Sequence, residues 1–165
     1  MLREMSLELQ QTKRTLEELK RENLDGKVAF SASFSTSGGG YVGPFSGTTN
    51  QVSLIFRHVF VNVGNAYNPN TGSFLSPTRG VYEFKIYLYT HAHTSYPAAA
   101  FLVKNGERIV LAYGKSDNYQ VNTANAVTLK MEEGDVVNVR PQSGARFYDN
   151  ENHHCTFSGQ LLFTL

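Results

Sequence analysis

The sequence predicts an all-β sandwich that follows one amphipathic helix. After Gly26, apolar residues recur at every second position in many short runs, and Gly, Asn and Pro separate these runs. A period of two is typical of strands with one face in a core. Many short strands with frequent turn signals favour a two-sheet sandwich or a jelly roll, and the pattern alone does not choose between them.

Residues 1–25 contain no Gly or Pro, and their apolar residues follow helical spacing. Read as heptads, the a positions are Leu2, Leu9, Leu16 and Asn23, and the d positions are Met5, Thr12 and Leu19. Glu8 at g precedes Lys13 at e, which supports parallel strands in register. We therefore predict a short coiled-coil helix over 1–25 and a globular domain over 26–165. The alternative is a solvated helix that packs on its own domain.

The first half of the globular domain is predicted as strands joined by loops. The first predicted strand has Val28, Phe30, Ala32 and Phe34 on one face and Ala29, Ser31, Ser33 and Ser35 on the other. The next predicted strands are Val52 to Phe56 and Val59 to Val63. Gly64 to Gly72 is predicted as a loop. A longer strand follows, with Tyr82, Phe84, Ile86 and Leu88 on its inner face.

The second half begins with a predicted hairpin. Ala98 to Lys104 and Glu107 to Tyr113 flank Asn105-Gly106, a pair that favours the type I′ turn. Gly114 to Asn125 and Gln142 to His154 are predicted loops. The remaining strands are expected at Val127 to Met131, Val136 to Arg140 and Thr156 to Leu165, the last with Phe157 and Phe163 on one face.

Composition excludes several classes of function. Hydrophobic residues make up 41% of the chain, which is enough for one core. The net charge of +1 gives no electrostatic reason to expect nucleic acid as a partner. No apolar run approaches the length of a membrane span. The single cysteine, Cys155, permits no internal disulfide. No signal peptide is visible at residues 1–4, so either a leader was removed or the protein is cytosolic, and composition does not decide between the two.

Seven residues between Phe56 and Phe84 carry a family resemblance. They are Phe56, Asn62, Tyr67, Phe74, Gly80, Tyr82 and Phe84. Their spacing resembles the signature of the complement C1q globular domain, and only the final aromatic position departs, because it holds Ile86. The opening strand from Val28 is similar to that of cerebellin-type members, and Thr156 to Phe163 resembles the family's closing strand.

The resemblance implies a ten-stranded jelly roll shared with tumour necrosis factor ligands and assembled as a homotrimer around aromatic faces. We expect the core of the fold or of the trimer to contain Phe56, Phe74, Tyr82, Phe84, Phe157 and Phe163. The resemblance also favours secretion, with the signal peptide removed. A parallel trimeric coiled coil with its seam at Leu2, Met5, Leu9, Leu16 and Leu19 would align three such heads on one axis.

The resemblance further raises the question of calcium. Members of the family hold calcium ions near the trimer axis with two Asp residues, eight positions apart, in a loop. Asp117 matches the first position, and Asn125, a neutral oxygen donor, matches the second. Losing a carboxylate weakens a site for a hard cation, and an ordinary polar loop is the alternative.

Catalytic motifs are missing from the sequence. There is no Gly-x-Ser-x-Gly elbow and no His-Glu-x-x-His helix. His154 and Cys155 are adjacent, so on a strand they point to opposite faces, and Cys155 is expected to be buried. His91 and His93 would share a strand face and could bind zinc, but no third ligand is identified, and a polar loop is the alternative.

These observations favour a secreted, non-enzymatic, trimeric recognition or signalling module. Its loops would contact a protein receptor or a glycan or lipid pattern on a surface, in innate immunity or in cell–cell signalling. The alternative is an extracellular structural protein that links heads into a matrix. An enzyme is the least favoured class.

Overall fold

A computed structural model of the chain describes residues 1–34 and 37–165. It contains one helix, α1 (Leu2–Asp25), followed by strands. The strands are β1 (Ala29–Ser33), β2 (Gly40–Val42), β3 (His58–Val63), β4 (Tyr67–Asn68), β5 (Ser73–Leu75), β6 (Gly80–Thr90), β7 (Ala98–Lys104), β8 (Glu107–Gly114), β9 (Val121–Met131), β10 (Val136–Pro141), β11 (Phe147–Asp149) and β12 (Thr156–Thr164). Ser35, which the sequence pattern assigns to the first strand, lies outside the described residues.

The strands form two antiparallel sheets of five strands each. The first sheet has the order β3-β1-β12-β6-β9, and the second has the order β4-β5-β10-β7-β8. β2 and β11 form an additional two-stranded sheet. The ten strands of the two large sheets confirm the predicted ten-stranded sandwich, and the core lies between them.

Aromatic rings from both sheets fill the centre of the core. The Phe30 ring stacks on Tyr67 with centroids 4.6 Å apart and meets the Phe157 ring edge-on at 4.8 Å. The Tyr67 hydroxyl donates a hydrogen bond of 2.6 Å to the carbonyl of Phe56. Burial raises the pKa of Tyr67 to about 12, because the phenolate would be poorly solvated there. Offset and edge-on ring contacts add to the stabilisation that burial alone gives.

β6 shows the predicted alternation over its whole length. Its buried residues are Gly80, Tyr82, Phe84, Ile86, Leu88 and Thr90. β12 pairs with β6, and its Gly159 lies directly opposite Phe84. A Cβ atom at Gly159 would lie 2.6 Å from ring carbons of both Phe30 and Phe84, so only glycine lets these rings approach the strand.

Five of the six expected core residues are fully buried in the single chain. Phe56, Phe74, Tyr82, Phe84 and Phe157 each expose 0% of their surface. Phe163 differs, since it is 55% exposed. The pairing of β12 with β6 shifts register between Leu161 and Phe163, and this irregularity carries Phe163 out of the inward alternation. The expectation that Phe163 lies in the core is therefore wrong for the isolated chain, and a role between subunits stays a prediction.

The hairpin of β7 and β8 forms as predicted. Asn105 and Gly106 both have positive φ, at 49° and 83°. Two central residues with positive φ define the type I′ turn, which matches the twist of the flanking strands. The side chain of Asn105 also accepts a hydrogen bond from the backbone N–H of Val136, and this bond ties the turn to β10.

Four sequence assignments need correction, and the first is the predicted loop Gly64 to Gly72, which contains β4 paired with β5. Val52 to Phe56 is not a strand, although Leu54 and Phe56 are buried, because only the N–H of Leu54 donates to β10, at Val139. The predicted loop 114–125 contains the start of β9, and the predicted loop 142–154 contains β11. Both segments are too polar for alternation to reveal them, and their strands are specified by partners distant in sequence.

Helix α1 makes no buried contact along its length. None of its 24 residues is buried, and the predicted seam residues Leu2, Met5, Leu9, Leu16 and Leu19 are 49–84% exposed. The N–H of Gly26 bonds to the carbonyl of Glu22 and ends the helix. The alternative of a helix packed on its own domain is therefore wrong. The coiled coil itself stays a prediction, because it needs other chains.

Candidate functional site

The sandwich has two distinct ends. Ala29 of β1 pairs with Gln160 of β12, so the connection to α1 and the end of β12 lie at one end, which we call the base. The opposite end, which we call the apex, contains Ser33, Thr156 and Thr90, where β1 ends, β12 begins and β6 ends. Any surface at the apex is therefore remote from the attachment of the helix.

The outer face of the first sheet carries small side chains. We call this the interface face. Strand register arranges the outward residues in rows that cross the five strands. The first row is Val63, Ala29, Gln160, Glu83 and Thr128, the second is Val61, Ser31, Ser158, Lys85 and Ala126, and the third is His58, Ser33, Thr156, Tyr87 and Ala124. A face rich in Ala, Ser and Thr allows close approach of another backbone, and in these rows the long charged side chains are confined to Glu83 and Lys85.

The centre of the interface face is a shallow depression. It has a volume of about 250 Å³ and includes Ser158 and Gln160 in its lining. The Lys85 ammonium lies 3.3 Å from the Glu83 carboxylate beside it, so the two charges compensate each other. Apolar side chains border the face, since Val61, Val63 and Tyr87 are 42–50% exposed. A neutral, shallow surface with an apolar border can bind another protein surface but offers no catalytic group.

An aromatic cluster occupies the apex. We call it the apical cluster, and its members are Tyr41, Tyr89, His91, Arg146, Tyr148 and His154. The hydroxyl of Tyr41 and Nδ1 of His91 are joined by a hydrogen bond of 2.7 Å, and the His91 and Tyr148 rings have centroids 4.1 Å apart. The Arg146 guanidinium lies 4.0 Å above the Tyr41 ring. Cation–π and ring contacts hold these side chains in place, although Tyr41 is 49% exposed.

A second group of rings lies next to the apical cluster. The imidazoles of His58 and His153 stack with centroids 4.6 Å apart, and Phe60 meets His153 edge-on. Nδ1 of His153 is hydrogen-bonded to the buried hydroxyl of Ser33 at 2.7 Å. Sequence reasoning missed both ring groups, because their members come from separate loops and strand ends. The usable signal was the polar and aromatic composition of 89–96 and 146–154.

The two residues proposed for calcium do not form a site within one chain. The sequence predicts Asn125 in a loop, but it lies inside β9. Its Nδ2 donates a hydrogen bond to the carbonyl of Leu111, and its Oδ1 accepts one from the N–H of Ala126. The carboxylate of Asp117 lies 3.2 Å from the Lys115 ammonium. Within one chain these oxygens have protein partners and one carboxylate is missing, so the pair alone is a weak ligand set, and calcium binding near a trimer axis stays a prediction.

The proposed zinc pair does not share a strand face. β6 ends at Thr90, so His91 and His93 lie beyond the strand. Nδ1 of His93 accepts a hydrogen bond from the N–H of Ser95, and Nδ1 of His91 is bonded to Tyr41. Within residues 1–34 and 37–165, no three His, Cys, Asp or Glu side chains are grouped to hold a metal ion.

Cys155 is buried, as predicted. It exposes 0% of its surface, and its Sγ accepts a hydrogen bond from the N–H of Tyr89. Burial raises the pKa of the Cys155 thiol, and the nearby Asp149 carboxylate raises it further. The His154 ring stacks on Tyr89 instead of contacting the thiol. A thiol kept protonated in this way is a poor nucleophile.

Asp149 is a buried carboxylate close to the apex. Its Oδ1 accepts hydrogen bonds from the backbone N–H groups of His154 and Asn150, at 2.6 and 3.0 Å. Burial raises the pKa of Asp149, and the bond from His154 opposes that rise. These bonds fix the loop that follows β11, so the role of Asp149 in the structure is to hold the apex.

Comparison with known sequences gives a consistent family. A family model for the C1q domain matches residues 29–162. Complement C1q tumor necrosis factor-related protein 6 of Mus musculus is 31% identical over 117 residues, covering 68% of this chain and 44% of that protein. Complement C1q tumor necrosis factor-related protein 3 of Homo sapiens is 34% identical over 143 residues, covering 83% of this chain and 52% of that protein. The chain thus spans about half the length of these curated relatives.

Comparison with solved structures confirms the jelly roll. The globular domain of zebrafish complement 1qA protein superposes with a TM-score of 0.64 at 17% identity, covering 84% of this chain and all of that one. Eiger TNF from S. frugiperda gives a TM-score of 0.64 at 14% identity, covering 85% of this chain and 95% of that one. No helix in the described part of the chain is long and apolar enough to cross a membrane.

Proposed function

The chain belongs to the C1q domain family, and from this premise we propose that it is a secreted, non-enzymatic recognition or signalling module that acts as a homotrimer. The observation that carries the proposal is the exposed heptad seam of α1. Membership of the family supports secretion. Two separate elements support assembly, the helix and the interface face.

The exposed seam of α1 supports assembly. Most of the stability of helices in proteins comes from packing of an apolar face and not from helix propensity. Leu9, Leu16 and Leu19 are about half exposed and lie on one seam that no apolar residue covers in the part of the chain that the structure describes. Parallel copies of the same helix would cover this seam, and knobs-into-holes packing needs no other residue types.

The interface face also supports assembly. Its small side chains and compensated charges fit contact with another copy of the head, and its apolar border would be covered in such a contact. Since β1 belongs to this sheet and directly follows α1, association of the helices brings these faces together. Both elements require neighbouring chains on one axis, and agreement between separate levels of structure supports the trimer.

The apex would then carry recognition. In a trimer on this axis, the three apical clusters lie at the end opposite the helices, where Tyr41 and its neighbours are available to a protein receptor or to a surface glycan or lipid pattern. Three weak sites on one rigid assembly bind with avidity, because the second and third contacts form at high effective concentration. This arrangement suits innate immunity or cell–cell signalling.

Light scattering on purified protein tests the assembly. We expect a mass of three chains of 18.4 kDa at micromolar concentration. Ser158→Arg places a long cation at the centre of the interface face and should lower the mass to fewer chains, whereas Ser143→Arg, at an exposed turn residue, should leave it unchanged. A one-chain mass for the unmodified protein would refute the proposal, and masses well above three chains would favour the matrix-forming alternative.

A further inference from the structure

We propose that the second sheet carries a binding site for an acidic saccharide. The site is an open pocket of about 710 Å³, lined by Asn50, Gln51, Gly106, Glu107, Arg108 and Arg140. We call it the arginine pocket. It lies on the sheet that faces away from the interface face, so assembly through the first sheet leaves it accessible. This pocket is separate from the apical cluster, so the inference goes beyond the proposed recognition surface and rests on the proposed function only for its biological role.

The two arginines are brought together by strand register and side-chain contacts. Arg140 of β10 pairs with Phe101 of β7, so their side chains share the outer face of the second sheet. The Arg108 guanidinium lies 4.3 Å above the Phe101 ring. Nη2 of Arg108 also donates to Oδ1 of Asn50 at 3.0 Å. These contacts hold the Arg108 guanidinium beside the pocket, and strand register places Arg140 in the lining of the same pocket.

Among the described residues, Arg108 and Arg140 have no carboxylate partner, in contrast to five other cations of the sandwich. Ion pairs neutralise Arg79, Lys85, Lys104, Lys115 and Lys130. Within residues 1–34 and 37–165, no carboxylate lies within 4.0 Å of the charged nitrogens of Arg108 or Arg140. The Nε of Arg140 is buried and has no hydrogen-bond partner among those residues. Glu107 also lines the pocket, so the three ionised groups together carry one net positive charge.

The lining indicates the chemistry of the ligand. Guanidinium groups bind carboxylate and sulfate through paired N–H donors. The amides of Asn50 and Gln51 can donate to and accept from hydroxyls. The lining contains no aliphatic or aromatic residue, so it offers nothing to an acyl chain or a stacked base. The pocket is wide and open, so a ligand larger than one inorganic ion can lie across it. A hydroxyl-rich ligand with an acidic group meets all of these conditions.

Calorimetric titration with oligosaccharides of matched length tests the site. A heparin-derived tetrasaccharide carries sulfate and carboxylate, a hyaluronan tetrasaccharide carries carboxylate alone, and maltotetraose is neutral. We expect one or both acidic oligosaccharides to bind and maltotetraose not to bind. Binding of the heparin fragment alone identifies sulfate as the recognised group, and equal binding of both identifies carboxylate. No binding at millimolar concentration, or equal binding of maltotetraose, would overturn the proposal.

Charge variants give the site its sharpest test. Arg108→Gln or Arg140→Gln should each weaken binding roughly tenfold, the effect of losing one charge-assisted hydrogen bond. Glu107→Gln removes the opposing carboxylate and should tighten binding. Arg14→Gln, which removes the same charge from the exposed helix, is the matched control and should change nothing. Unchanged affinity in both arginine variants would refute the site.

Two further readouts separate this proposal from others. Should Arg140→Gln fail to fold, Arg108→Gln and Glu107→Gln still decide the outcome, because both residues are exposed at the β7–β8 turn. Light scattering on the same samples reports the number of chains. Since the pocket lies within one chain, a monomer that binds the acidic saccharide refutes only the trimer, and a trimer that does not bind refutes only the pocket.

Discussion

Helix α1 and the sandwich use the same kind of residue in opposite ways. Phe84, at the centre of the sandwich, exposes 0% of its surface, whereas Leu16, at the centre of the helical seam, exposes 49%. The sandwich satisfies its apolar residues within one chain. The apolar residues of the helix stay exposed in one chain, and other chains would be needed to bury them. The difference teaches that the core of the head is complete within one chain, whereas the helix leaves its apolar seam open, so the two segments can be tested by separate substitutions.

The largest effect is expected for the core of the sandwich. Phe84→Ala removes a ring that contacts Phe74 and Tyr82, and it leaves a cavity between the sheets. We expect it to lower the free energy of unfolding by about 3–5 kcal/mol, as measured by urea denaturation. Phe163→Ala is the control, since Phe163 is 55% exposed in the single chain. A small loss for Phe84→Ala would contradict the assignment of this ring to the core.

The next effect concerns the helix. Leu9→Ser combined with Leu16→Ser removes two a positions of the seam, so we expect most of the helical circular dichroism signal to disappear. The urea transition of the sandwich should stay in place. Leu7→Ser is the matched control, because Leu7 is 60% exposed but lies off the seam. If the double variant keeps its helical signal, the helix does not depend on association through this seam.

Cys155 provides a smaller test, confined to the sandwich. Because the thiol is buried and its pKa is raised, we expect a thiol reagent at neutral pH to label native protein very slowly. Labelling should become complete in urea, with the same midpoint as unfolding of the sandwich. Leu9→Ser with Leu16→Ser should not change the native labelling rate. Rapid labelling of the native protein would show that β12 opens locally.

The smallest effect expected is on the pH dependence of stability. The pKa of Asp149 is raised in the folded state, so its contribution to stability is complete below the unfolded-state pKa and is lost as pH rises through the folded-state pKa. The melting temperature of the unmodified protein should therefore fall as pH rises from mildly acidic to neutral, and this fall should be smaller in Asp149→Asn. Thermal unfolding of both proteins across this range measures the difference.

Asp135 supplies the opposite sign as a comparison. A hydrogen bond from Asn105 lowers the pKa of Asp135. Its contribution to stability is present above the unfolded-state pKa and is lost as pH falls through the folded-state pKa. In Asp135→Asn, the melting temperature should therefore fall less than in the unmodified protein as pH is lowered into the acid range. Identical pH profiles for the Asp149→Asn and Asp135→Asn variants would contradict both assignments.

Local pattern was sufficient to predict most of the fold. The alternation of β6, the Asn105-Gly106 turn and the heptads of α1 are all properties of neighbouring residues, and the structure contains each of the three elements. The start of β9 and all of β11 were assigned to loops. Their polar residues form strands because Val121 to Asn125 extends the pairing with β6, and because β11 pairs with β2. Such pairing depends on residues far away in sequence.

Surfaces were harder to predict than elements. The outward residues Ala29 and Ser31 alternate with the inward Phe30, and their small size was visible in the sequence, but its meaning required the neighbouring strands. The arginine pocket joins a turn at Asn50 to Arg108 and Arg140, which are 32 residues apart in the chain. No spacing rule connects these positions, because the second sheet brings them together through register.

The connection between α1 and β1 contains only Gly26, Lys27 and Val28. Three residues reach roughly 10 Å when extended, so this linker allows little movement between the helix and the head. β1 lies inside the first sheet, with β3 on one flank and β12 on the other. Tension applied through the helix would pull along β1, and the hydrogen bonds perpendicular to it would resist in shear on both sides. The head should therefore withstand pulling forces that would peel away a strand attached at the margin of a sheet.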